Sequence, residues 1–210
     1  MTVPDHRRPP EKETMAPTTR AEQKRQTRAA IVTAAREQFD RHGYTATTAE
    51  VVARAAGISR ATFYLHFRSK ADVVVELMRA REPEIASAYV ALDALTDPDH
   101  ADVVAWLENH AAFWRTHRME FMAMQQALAH ETAVADEWFD MHRRTQEGMV
   151  HLASRCANDD EWQRAKTRVM TFMMAIDRSF YFHVLRGHDE HYGLVLDVLA
   201  EQWLALVRRA

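Results

Sequence analysis

From Arg20 onward the apolar residues recur at three- and four-residue intervals, and no stretch alternates with a period of two. That pattern admits helices and argues against strands, since a half-buried strand needs strict alternation. The breaks between helical stretches are short and polar: Gly43, Gly57, Thr96-Asp97-Pro98-Asp99, His117-Arg118, Glu131-Thr132, Ala157-Asn158-Asp159-Asp160 and Arg186-Gly187-His188. Connections of this kind join neighbouring helices of a bundle. An all-α fold without internal repeats is therefore expected.

One segment is more specific than the rest. Ile31, Ala34, Ala35 and Phe39 form the inward stripe of a first helix, and Gly43 ends it near His42. Thr47 stands three residues before Glu50, the spacing of a capping box. It predicts a second helix, Thr48 to Ala56, that turns Val51, Val52 and Ala55 inward. Gly57 breaks this helix, Ile58 plugs the turn, and Ser59 caps a third helix from Arg60 to Phe67. Ser69-Lys70-Ala71-Asp72 opens a fourth that runs to about Arg81. Two short helices joined by a tight glycine turn make a helix-turn-helix. Such a unit lays its second helix in the major groove of DNA. Ala53, Ala56 and Gly57 permit close helix approach. Ile58, Phe63 and Phe67 lie inward, while Arg60, Thr62, Tyr64 and His66 face outward or sit at the edges.

Charge agrees with this reading. The formal net charge of −3 hides an asymmetry: residues 1–70 hold 13 Lys/Arg against 7 Asp/Glu, and residues 71–210 hold 14 against 23. A basic first third on an acidic body suits a chain that meets a polyanion at one end. Met1 to Thr19 has four prolines and almost no apolar periodicity, and it reads as a disordered arm, with Arg7 and Arg8 available to a phosphate backbone. That stretch has no apolar core of a secretory signal, and no apolar run approaches the roughly 20 residues that span a bilayer. A soluble, cytoplasmic protein without membrane partners is expected. The single cysteine, Cys156, excludes an internal disulfide and any multi-cysteine metal site. His188 and His191, or His110 and His117, lack a third ligand and the His-Glu-x-x-His spacing, so no metal is expected. Ser154 and Cys156 have no nucleophile-elbow context, and no glycine-rich phosphate loop exists, so neither an enzyme nor a cofactor is expected.

The run from Thr47 to Lys70, with its Gly-Ile-Ser, Phe-Tyr, His-Phe and Ser-Lys elements, resembles the DNA-binding domain of the TetR family of transcriptional regulators. The resemblance covers roughly residues 20–80. It implies an all-helical homodimer that binds a double-stranded operator, with a divergent C-terminal domain that binds a small hydrophobic ligand and dimerises. Position by position, Arg60, Ala61, Thr62 and Tyr64 fall where the family meets bases or nearby phosphates. Leu65 and His66 fall at the far end of the reading helix. Thr48 falls where a hydroxyl meets a phosphate, and Lys70 where an ammonium does so at a helix N-terminus. Ala49 stands where some members carry a longer base-reading side chain, so that contact is expected to be missing. The domains implied are an arm (1–19), a helix-turn-helix domain (20–67), a connecting helix (68–82) that would act as hinge, and a ligand-binding and dimerisation domain (83–210).

The acidic body carries three helical stripes: Trp106, His110, Phe113 and Trp114; Trp138, Met141, His142 and Thr145; Met173, Ile176, Phe180 and Tyr181. Such stripes make closed core as readily as the wall of an apolar pocket. The body also distantly resembles the ethionamide-regulator branch of the family, which has a long hydrophobic tunnel. That resemblance places Trp106, His110, Trp114, Trp138, His142, Met173, Ile176, Tyr181 and Trp203 at or near tunnel-lining positions, with His110 or His142 as the polar group. Asp177-Arg178 reads as an ion pair or a solvent-facing pair. Val169, Phe172, Ile176, Leu194, Val198, Leu199, Trp203 and Leu206 are available to a dimer interface. The function expected is a ligand-released repressor on a pseudo-palindromic operator. A non-specific DNA-binding protein of the same fold, or a small-molecule-binding protein or enzyme with a vestigial helix-turn-helix, is the alternative.

Overall fold

The computed structural model describes residues 19–208, which form ten α-helices and no strands. The expected arm lies outside the described residues except for Thr19, whose hydroxyl caps the first helix by accepting from the Glu22 amide.

Helix α1 (Arg20–Ala46) buries Ile31, Ala34, Ala35 and Phe39, the expected stripe. Gly43 breaks it at φ 76° and ψ 162°, a conformation that a side chain would resist. A last turn follows, and the freed amide of Tyr44 donates to Gln126 Oε1 at 2.7 Å. Helix α2 (Ala49–Ala55) is capped by Thr48, which accepts from the Val51 amide. This corrects the expected cap at Thr47. The Thr47 hydroxyl instead turns inward to the carbonyls of Gln38 and Gly43, acceptors freed by the break in α1. Gly57, at φ 68°, makes the turn into α3 (Arg60–His66), where Ser59 Oγ accepts from the Thr62 amide. Phe63 and Phe67 are buried behind α3.

Helix α4 (Lys70–Asp93) corrects a second expectation, since it runs straight through Pro83 rather than ending before it. An interior proline removes one helix hydrogen bond and costs roughly 3 kcal/mol in an isolated helix. Here a buried stripe on both sides offsets that cost: Val73, Val74, Leu77 and Met78 before it, Ile85, Tyr89 and Leu92 after it. Ion pairs to α7 fasten the turn just before the proline. Arg79 holds Glu137, while Arg144 holds both Glu82 and Glu137.

The body comprises α5 (His100–Thr116), α6 (Arg118–Leu128), α7 (Thr132–Glu147), α8 (Val150–Arg155), α9 (Asp159–Phe180) and α10 (Tyr192–Val207). Helix α9 widens into a π turn over Tyr181–Leu185. The expected breaks at 96–99, 117–118, 131–132, 157–160 and 186–188 are present, and a further one separates α7 from α8. No side chain of Met149 caps α8. Buried Asp93, at the end of α4, takes over that role and accepts from the amides of His151 and Leu152, both at 2.8 Å.

Asp93→Ala is expected to strand those two amides and lower stability by about 2–3 kcal/mol. Urea denaturation measures the loss, and a change below half that value would show that water replaces the carboxylate.

Candidate functional site

At the N-terminal end, α3 stands proud of the fold. Arg60 and Ala61 are exposed, Tyr64 is 45% exposed and Leu65 is 78% exposed. Thr62 is half-buried, and its hydroxyl lies 2.8 Å from Ser59 Oγ. The Arg60 guanidinium lies 5.6 Å from the centre of the Tyr64 ring, one helical turn on. Thr48 is exposed at the start of α2. These positions share one outward surface, with Phe63 and Phe67 turned to the core.

Two cations hold that surface in place. Arg28, on α1, donates to the His66 carbonyl at 2.6 Å, pairs bidentately with Glu76 of α4 at 3.1 and 2.7 Å, and lies 4.0 Å over the Phe67 ring. It thus ties the C-terminal end of α3 to two longer helices. Sequence reasoning passed over Arg28, because no local spacing announces a contact across 48 residues. Lys70, expected at a phosphate, directs its ammonium to the carbonyls of Tyr44, Thr45 and Thr47 and lies 4.1 Å over the Tyr44 ring. Burial pushes its pKa down. The imidazole of His66 is also pushed down, by burial and then by Lys24 and Arg28, and its Nδ1 has no hydrogen-bond partner. His66 therefore offers a neutral ring rather than a charge.

The helix-turn-helix is bolted to the body at more than α4. The Tyr44 hydroxyl donates to Glu131 at 2.6 Å, and Arg36 pairs with buried Glu120 at 2.9 Å. Burial and Glu131 together push the Tyr44 hydroxyl's pKa up.

Residues 31–77 match the family described as bacterial regulatory proteins, tetR family. No curated protein matches the chain. Among solved structures, FadR from Thermus thermophilus, a TetR-family transcriptional repressor in complex with lauroyl-CoA, is 20% identical. It superposes with a TM-score of 0.57 over 86% of this chain and 92% of its own. The fatty acid degradation regulator FadR from Bacillus halodurans is 16% identical, with a TM-score of 0.58 over 86% and 94%. SmeT, in complex with triclosan, is 18% identical, with a TM-score of 0.56 over 83% and 90%. The chain has a TetR-type fold. Its residues 31–77, which span the helix-turn-helix, are the part that matches the family.

In the body of this TetR-type fold, the nine residues expected at a ligand are brought together mostly as packed interior. Trp106 and His110 stack at 5.0 Å, Trp114 stacks on Phe121 at 4.0 Å, and Trp203 lies 5.4 Å from Phe172. Met173 and Ile176 are fully buried, whereas Tyr181 is half-buried. The Trp106 indole donates to the Ala88 carbonyl. Trp138 differs, because it lines a cleft of about 360 Å³ together with Gln125, Leu128, Met174, Asp177 and Arg178. Its indole donates to Asp177 Oδ2 at 2.7 Å, and His142 Nε2 lies 3.5 Å from the same oxygen. Asp177 is thus buried and turned toward α7, while Arg178 is exposed beside the Tyr181 and Phe182 rings. Asp177 and Arg178, adjacent in sequence, point different ways.

Tyr89 and His110 face each other at 5.5 Å, and neither the Tyr89 hydroxyl nor His110 Nδ1 has a partner. Burial, and then His142, push the His110 imidazole from 6.5 down to about 3. The folded protein therefore resists a proton that the unfolded chain accepts between those two values. The stability this confers is complete above pH 6.5 and is lost as the pH falls toward 3. The expected slope is about 1.4 kcal/mol per pH unit. His110→Phe should remove that acid loss, so the variant should gain on the parent in urea denaturation at pH 5 relative to pH 7.5. Parallel curves would show that His110 carries no such term.

Proposed function

We propose that the chain is a ligand-responsive transcriptional repressor. It binds a pseudo-palindromic operator as a homodimer, with one α3 of each protomer in successive major grooves, and a small hydrophobic effector releases it. The observation that carries this reading is the exposed face of α3, clamped by Arg28 to helices that continue into the body. Arg60, Ala61, Thr62 and Tyr64 would read bases or nearby phosphates, with Leu65, His66 and Thr48 at the flanks. Arg60 is suited to a guanine edge, a pairing worth about 1–3 kcal/mol of discrimination. Lys70 would act as a clip that shapes the α1–α2 turn rather than as a phosphate contact.

Support for an effector comes from the similar folds solved with lauroyl-CoA and with triclosan. The resemblance to the ethionamide-regulator branch belongs to the same proposal. So does the division into a reader (20–67), a connector (68–82) and a ligand-binding and dimerisation part (83–210), although α4 carries the connector on to Asp93. A ligand would act by the difference between its affinities for two arrangements of reader and body.

For the dimer, α9, the π turn and α10 expose Met174, Phe182, Leu194 and Val198. Val169, Phe172, Ile176, Leu199, Trp203 and Leu206, also considered for that interface, are buried within the protomer. Leu194 and Val198 thus remain the better candidates. A two-fold protein doubles the contacts that one seven-residue reader can make.

A gel-shift titration over salt tests the reader. Arg60→Ala should weaken specific binding about tenfold and relax one base position while leaving the thermal midpoint unchanged. Lys70→Ala should lower the thermal midpoint, since three carbonyls lose their donor. Parent protein that shows no sequence preference under competitor DNA would favour non-specific binding. Absence of DNA binding at low salt would overturn the proposal.

A further inference from the structure

The cleft between α6, α7 and α9 holds a carboxylate with one oxygen unengaged by the described residues. Its floor is Asp177, and its walls are Leu128, Trp138 and Met174. Asp177 Oδ2 takes the Trp138 indole N–H, but Oδ1 receives no hydrogen bond from the described residues. His142 Nδ1 lies 2.8 Å from the Trp138 carbonyl, so Nδ1 carries a hydrogen, and Nε2 faces Asp177 Oδ2 at 3.5 Å. Oδ1 is thus open to a further donor. Gln125, at the same cleft, leaves Oε1 buried without a partner. Arg178 sits at the exposed rim beside the rings of Tyr181 and Phe182, at 5.6 and 5.9 Å.

We infer that this cleft binds a protonated lipophilic amine. The ammonium would sit against Asp177 Oδ1 and the Gln125 amide, and the apolar portion would lie along Trp138, Leu128 and Met174. An ammonium supplies several donors and a positive charge to an Oδ1 and a Gln125 Oε1 that receive no hydrogen bond from the described residues. The Trp138 ring adds a face that attracts cations. The volume, about 360 Å³, falls within the range of small-molecule sites. Burial, the largest influence on Asp177, raises its carboxyl's pKa, while His142, Trp138 and Arg178 lower it.

The inference gives a ligand class to the effector site of the proposed repressor and rests on that reading, but its test needs no DNA. Phenylbutylamine, phenylbutanol and phenylbutyrate share one skeleton and differ in charge. Calorimetry on the full chain, with tryptophan fluorescence as a second readout, should rank them amine, alcohol, carboxylate, with about tenfold between the first two. Asp177→Asn, which keeps an acceptor for Trp138, should erase the amine's advantage and leave the alcohol's affinity unchanged. Met174→Trp, at an exposed position, should fill the cleft and abolish all three. A carboxylate that binds as well as the amine overturns the inference, as does an amine preference that survives Asp177→Asn. Should Asp177→Asn fail to fold, an amine affinity that survives Met174→Trp overturns it. An amine that binds through Asp177 yet leaves operator binding unaltered would sink the repressor reading while sparing the site.

Discussion

A seven-residue helix cannot hold itself in register, since isolated helices shorter than roughly 12 residues are marginal in water. The position of α3 therefore depends on what stands behind it. Phe63 and Phe67 supply burial, worth about 1.5–3 kcal/mol each. Burial is non-directional, however, and would let the short helix roll. Arg28 removes that freedom, because its planar guanidinium has a fixed fork of donors. One edge grips Glu76, another nitrogen takes the His66 carbonyl, and the face covers Phe67. The exposed face of α3 thus rests on one cation shared by three helices.

The same economy governs the join between reader and body. Helix α4 passes from one to the other without a break, and ion pairs from Arg79 and Glu82 to α7 hold the turn that precedes Pro83. The second link is Tyr44, which uses its backbone amide on Gln126 and its hydroxyl on Glu131. Gly43 makes this geometry possible, because its positive φ turns the chain end and a Cβ there would lie 3.2 Å from Gln126 Oε1. Two links at separate points constrain rotation as well as translation. A shift of α6 or α7 in the body must therefore move α1 and α4 together. That is the mechanical requirement for any signal passing from the body to α3.

Much of this was legible in the sequence, and the boundary is physical. Helix periodicity, Gly57, Ser59 and the inward Phe63 and Phe67 are local signals, so the helix-turn-helix could be read directly. Thr47, three residues before Glu50, is the cap that spacing favours, and only the carbonyls freed at Gly43, which draw its hydroxyl inward, leave the cap to Thr48. Pro83 misled because its helix-breaking tendency is local while the packing that overrides it is not. Arg28, Lys70, Asp93 and Asp177 share one property. Each acts on a partner at least 23 residues away, and a single sequence carries no mark of such pairings.

The interior of the body differs in kind from the reader's support. Around α3 only His66 Nδ1 is a buried side-chain polar atom without a partner among the described residues, whereas in the body Tyr89, His110, Gln125, Gln146 and Trp203 each keep one. An unpaired buried donor or acceptor costs about 1–3 kcal/mol, so these groups lower the stability of the unliganded packing. They are drawn from five helices of the body and connector, α4, α5, α6, α7 and α10. A core satisfied throughout would leave a ligand little to gain by entering. One with unpaired polar atoms lies closer in energy to a rearranged packing, and a ligand that pairs even one of them gains differential affinity for that packing. Rigid support at one end and unmet hydrogen bonds at the other are complementary. The first fixes the exposed face of α3, and the second leaves the body's packing nearer in energy to a rearranged one.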